Sequence, residues 1–191
     1  MARIELTPEG QRTPEEARAC AEAVAGIRGR VPAPMIAWLK NPELASRAQK
    51  LGELLRYQTS LEPRYSELAI LIMARHWTAH YEWFAHKRIG LEAGMDPAVV
   101  ADIAARRTPT LRDDKEQVIY DVSTTLLATR RVPRPLYDRA VSVLGEKGLV
   151  ELIGVLGYYS FVSMTLNTFE LGLPENFQTD LGAEPGDEVP V

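Results

Sequence analysis

Three times in 191 residues the chain writes the same start signal, a short polar residue followed by proline and then a run with apolar side chains every three or four positions. Thr13-Pro14-Glu15-Glu16 puts threonine at an N-cap, proline at the first helical position and glutamate at N3, which together make a capping box. Asn41-Pro42 and Asp96-Pro97 repeat the device. No segment shows sustained period-two alternation bounded by hairpin turns, so the expectation is an all-α fold.

The Thr13 signal predicts a helix ending near Gly29, and the other two predict helices of about 15 and 10 residues. A cap within 110–113 opens a helix reaching Arg130, and a short helix over 135–144 precedes a turn at 145–148. The last apolar run, 149–172, carries only two charges, Glu151 and Glu170, and reads as the central, mostly buried helix. With 46% hydrophobic and 25% charged residues, the chain suits one domain with a single core. The expected layout is an N-terminal helical extension over 1–30, a helical domain over 31–175 and an acidic tail over 176–191.

A formal charge of -4 argues against a nucleic-acid partner. Neither a secretory signal nor an uncharged apolar run of roughly 18 residues is visible, so no membrane partner is expected and the default location is the cytoplasm. A lone cysteine, Cys20, allows no intrachain disulfide and no dithiol couple. It lies in an alanine-rich helical run and is expected to be a small buried core residue.

Chemistry concentrates in 67–86, ELAILIMARHWTAHYEWFAH, which holds all three histidines and two of the three tryptophans. On an unbroken helix Arg75, Ala79, Glu82 and His86 share one stripe, and His76, His80 and Trp83 share another. Thr78 is a candidate N-cap that would split the segment in two. Glu82 and His86 stand four apart, close enough for the carboxylate to hold one imidazole nitrogen, fix the tautomer and raise the histidine pKa. An exposed helical Glu/His pair has the same spacing, and both readings stay open on the residues alone. His76 and His80 have metal-site spacing, but Trp77 stands where a zinc peptidase helix has its glutamate and nothing singles out further ligands, so no metal is expected. Glu67 opens an apolar run, where a buried acid needs a partner, and Arg64, three residues earlier, is the expected one.

The pattern Arg64-x-x-Glu67-Leu68, an apolar helix, then His80-Tyr81-Glu82-Trp83-x-x-His86 and Gly94 resembles the carboxymuconolactone decarboxylase family, which includes the alkyl hydroperoxidase D proteins. Asn41-Pro42-Glu43-Leu44, Leu54-Leu55-Arg56, Tyr158-Tyr159, Leu166-Asn167 and the Gly172-Leu173-Pro174 exit extend the likeness over about residues 30 to 175. The resemblance implies a single-domain, all-α bundle of the alkyl hydroperoxidase D type, with about eight helices, assembled as a homo-oligomer, a trimer or hexamer. The peroxidase branch uses a Cys-x-x-Cys pair with a glutamate and a histidine relaying protons. Glu67 and His86 match the relay positions, while Ala79 and Glu82 stand at the cysteine positions, which removes the sulfur nucleophile.

The decarboxylase branch keeps a Glu-x-x-x-His that Glu82 and His86 match. By resemblance the chain is then a cofactor-free acid/base lyase acting on a small carboxylated lactone or related unsaturated acid. His86 would be the acid/base, and Glu82 and Glu67 the orienting or proton-sharing carboxylates. Arg64 would anchor a carboxylate, with His80, Trp83 and Tyr158 as further substrate-binding candidates. The Tyr-Glu-Trp signature and the N-terminal extension depart from the shorter decarboxylases. Two alternatives accompany this reading: an antioxidant hydroperoxidase, opposed by the missing cysteines, and a non-catalytic oligomeric family member.

Overall fold

The computed structural model describes residues 2–172 and 180–182. Among these residues the only regular elements are eight α-helices and one 3-10 turn at Glu9–Gln11. The helices are α1 (Pro14–Ala25), α2 (Ala33–Trp38), α3 (Pro42–Tyr57), α4 (Pro63–His76), α5 (His80–Glu92), α6 (Pro97–Ala104), α7 (Asp114–Thr129) and α8 (Arg134–Phe169). Most of the expected tail lies outside the described residues, as do Leu173 and Pro174.

The capped starts form as their chemistry requires. Thr13 Oγ1 accepts from Glu16 N at 3.2 Å and Glu16 accepts from Thr13 N at 2.9 Å, so two orphan N–H groups are satisfied reciprocally. Asn41, Asp96 and Asp113 each accept a backbone N–H in the first turn of α3, α6 and α7. The first helix stops earlier than expected, at Gly26, and Gly29 instead takes a left-handed conformation in the link to α2 (φ 64).

The centre of the fold is α4, a correction to the expectation for the last apolar run. Its residues 65 to 75 are buried without interruption, and it packs on α3, α5, α6, α7 and α8. A helix enclosed on all sides must be apolar all round, as this one is apart from Glu67, Arg75 and Ser66. The last helix runs on through a break at Gly145 (φ 73, ψ 165), so the two expected helices abut directly. It packs on α2, α3, α4 and α7, yet Val150 remains 71% exposed and Ile153 and Met164 are exposed as well. By length and composition α8 could cross a membrane, but 56% of its most apolar window is buried inside the fold.

Thr78 marks the end of α4, through a left-handed backbone (φ 46) rather than as a cap; the N-cap of α5 is Ala79, with no side-chain bond. The three-residue link folds α5 back on α4 as a helical hairpin. Gly90 lets the two approach closely: a Cβ there would come within 2.7 Å of Met95 Sδ and 3.5 Å of Glu67 Cβ. The hairpin brings the first half of α4 against the second half of α5.

Candidate active site

The hairpin places His86 between two carboxylates. His86 Nδ1 lies 2.5 Å from Glu67 Oε2 on α4, and Nε2 lies 3.0 Å from Glu82 Oε1 one turn earlier on α5. All three are deeply buried, Glu67 at 2%, Glu82 at 5% and His86 at 4% exposure. Because both ring nitrogens face carboxylate oxygens, the arrangement is satisfied in full when both carry protons. Burial by itself would lower the His86 pKa; Glu67 and then Glu82 outweigh it by charge and hydrogen bonding, and the pKa is pushed up to about 9. The ring is therefore an imidazolium at neutral pH. Its edge meets the Tyr159 ring, with centroids 5.0 Å apart and planes at 82°. Burial, ahead of the Glu82 charge, drives the Tyr159 phenol well above its ordinary pKa, so it stays neutral.

His86 and Glu82 form one wall of a cavity of about 220 Å³. Glu82 and His86 line it, together with Tyr81, Tyr158 and Tyr159 and four arginines, Arg28, Arg30, Arg56 and Arg88. Glu67 is not among the lining residues: it backs His86 from behind, with Arg56 Nε 3.9 Å from its other oxygen. A substrate in the cavity would thus meet Glu82 and the ring from one side while Glu67 fixes the ring from the other. Four cations against one lining carboxylate suit an anionic guest, although Arg88 also pairs with Glu92 at 2.8 Å.

The other expected site residues divide. Tyr158 lines the cavity; it is 5% exposed, and its hydroxyl has no hydrogen-bond partner. Burial raises its pKa against the opposing pull of Arg28. Arg64 does not reach Glu67. It bonds Asp113 Oδ2 at 2.7 Å and the Tyr65 hydroxyl at 2.8 Å, and lies 3.1 Å from Glu116, tying α4 to the start of α7. Arg64 follows Pro63 in the first turn of α4, and its chain runs toward the acidic N-terminus of α7 rather than along its own helix. His80 opens α5 and does not line the His86 cavity. Trp83, 1% exposed, lines a different cavity beside Arg75 and Lys87. The break at Thr78 also dissolves the stripe that would have joined Arg75 to Glu82 and His86: Arg75 donates to Ala104 O at 2.8 Å and to Thr78 Oγ1 at 3.1 Å.

Arg28 and Arg56 are lining residues that sequence reasoning did not single out as site residues. Arg56 appeared only within a family-like string, and Arg28 lies in an aperiodic Gly-Ile-Arg-Gly stretch that carries no motif. Cys20 is buried in α1 and is not among the lining residues. Among the described residues no three His, Cys, Asp or Glu side chains gather as a metal-binding group.

No protein-family profile matches the chain. No curated protein matches it in sequence. Among solved structures it is similar to a cysteine-to-alanine variant of the debrominase Bmp8 in complex with 2,3,4-tribromopyrrole, with a TM-score of 0.70 over 92% of each chain and 12% identity. At that identity the likeness is one of architecture: this chain adopts the same all-helical fold as Bmp8.

Proposed function

We propose that this chain is a cofactor-free acid/base enzyme in which His86, Glu82 and Glu67 move a proton on a small unsaturated carboxylic acid, a carboxylated lactone being the type substrate. The observation that carries this reading is the imidazolium held between two buried carboxylates at the wall of an arginine-lined cavity. Buried titratable groups are costly to keep, and three of them gathered beside a cavity support a proton-transfer role. The resemblance to carboxymuconolactone decarboxylases points the same way, and so does a fold shared with a protein solved with a small brominated heterocycle.

In the lyase form the substrate's carbon–carboxylate bond breaks and CO₂ leaves, its electron pair passing into the unsaturated lactone as an enolate. A proton then goes to carbon from the His86–Glu82 pair, and the pair is reloaded from solvent. Because Glu82 occupies Nε2 while facing the cavity, Glu82 is the group that hands the proton on; Glu67 holds the ring's far nitrogen and keeps the tautomer fixed. Replacing His86 with Gln should abolish turnover on a panel of lactones and unsaturated acids while helical circular dichroism is retained; unchanged turnover would refute the assignment.

The protein is further proposed to self-associate. Leu51 and Leu54 on α3 and Val150 and Ile153 on α8 are exposed apolar side chains on two helices packed together. Light scattering at micromolar concentration should report an oligomer, and a monomer would contradict this part.

A further inference from the structure

One corner of the cavity is built for an oxyanion. Arg28, from the link between α1 and α2, lines it, and its Nε is buried with no hydrogen-bond acceptor. The Tyr158 hydroxyl, on α8, is likewise buried, with the Arg28 guanidinium beside it and no acceptor for its own proton. Both polar heads rest on Gly52 of α3: a Cβ there would overlap the Tyr158 hydroxyl and come within 2.8 Å of Arg28 Nη2. The recess therefore exists because position 52 has no side chain. A buried hydroxyl and a buried guanidinium N–H that each lack an acceptor are costly, and one carboxylate would relieve both.

From this we infer that Arg28 and Tyr158 form a carboxylate-anchoring subsite that holds a small planar substrate by a carboxylate the reaction retains and lays its carbon skeleton beside Glu82 and His86. The inference rests on the proposed His86 site and adds to it the group that selects and orients the substrate. Arg56 lines the same cavity and supplies a second cation to it. The cavity volume of about 220 Å³ suits a five- or six-membered ring rather than a long chain. Arg28 acts as a specificity residue, and the 26–32 link that carries it becomes part of the site rather than a spacer.

The test is equilibrium binding of 2-furoate and of its neutral analogue 2-furamide to the full-length protein at pH 7.5, by calorimetry and by the shift in melting temperature. Furoate should bind and furamide should not. Arg28→Gln should weaken furoate about tenfold or more, Arg28→Lys should fall between, and Tyr158→Phe should weaken it less. Arg47→Gln, which removes an exposed arginine paired with Glu43 on α3, should bind furoate as the parent does and controls for lost charge. Equal binding of furoate and furamide, no binding of furoate, or undiminished binding by Arg28→Gln of retained helicity would each overturn the anchor. Failure of the proton-transfer reading looks different: furoate binding would depend on Arg28 while His86→Gln turned substrate over normally.

Discussion

Two charged clusters hang from α4, and they spend their carboxylates differently. Around Arg64, Asp113 also caps α7 by accepting Glu116 N at 2.9 Å, and Glu116 also accepts Arg112 N at 2.7 Å. Those acids terminate a helix and close a loop, and the guanidinium ties them to α4. Around His86, Glu67 and Glu82 both address the two nitrogens of one ring, and Glu82 and the ring face a cavity. The half-buried cluster thus joins elements, while the fully buried one gathers its carboxylates on a single ring. The partners, rather than the presence of charge, make the distinction.

The largest effect that would separate them is kinetic. His86→Gln should lower turnover by about 10²–10⁴-fold, the usual worth of a positioned acid/base, while Arg64→Ala should leave it unchanged. Equal losses in steady-state assays of folded protein would erase the contrast. Next comes stability. Arg64→Ala leaves Asp113 and Glu116 facing each other without their cation and should cost about 1–2 kcal/mol in urea unfolding, less than a fully buried pair because the Arg64 and Asp113 side chains are 15% and 33% exposed; no measurable loss would show the cluster to be ornamental.

A third difference is in pH. The folded pKa of His86 stands above its ordinary 6.5, at about 9, so the ring's contribution to stability is complete below 6.5 and is lost as pH rises through about 9. Denaturant melts between pH 6 and 10 should show this decline in the parent and not in His86→Gln. The Arg64 cluster has the opposite sign: Asp113 is held below its ordinary 3.8, chiefly by the Glu116 backbone N–H and Arg64 against the cost of burial. Its contribution is present above 3.8 and is lost as pH falls through the lowered value. The smallest effect is expected for Tyr65→Phe, which removes the hydroxyl's bonds to Asp113 and Arg64 and should cost about 1 kcal/mol without touching activity.

What the sequence allowed one to read followed the range of the interaction. Caps at Thr13, Asn41, Asp96 and Asp113 depend on residues two or three positions away, and each is found in the structure. The Glu82/His86 contact, four apart on one helix, is likewise local. The contact between Glu67 and His86 spans 19 residues and forms only because Thr78 breaks the helix and Gly90 lets the hairpin close. Spacing favoured Arg64 as the partner of Glu67 because both lie on α4, and the acidic start of α7 took Arg64 instead. Arg28 was least legible of all. Its environment is assembled from the link after α1, Gly52 on α3 and Tyr158 on α8, three pieces that no periodicity connects.

The account turns on the protonation state of one ring, and ¹⁵N NMR of the histidine side chains titrated from pH 5 to 10 reads it directly. The account predicts that His86 keeps protons on both nitrogens through neutral pH and titrates near 9. His76 should titrate below the ordinary 6.5, owing to desolvation first and the Arg106 charge second. Glu67→Gln should move the His86 transition down. A His86 ring found neutral at pH 7.5 in the folded parent protein would contradict the central claim.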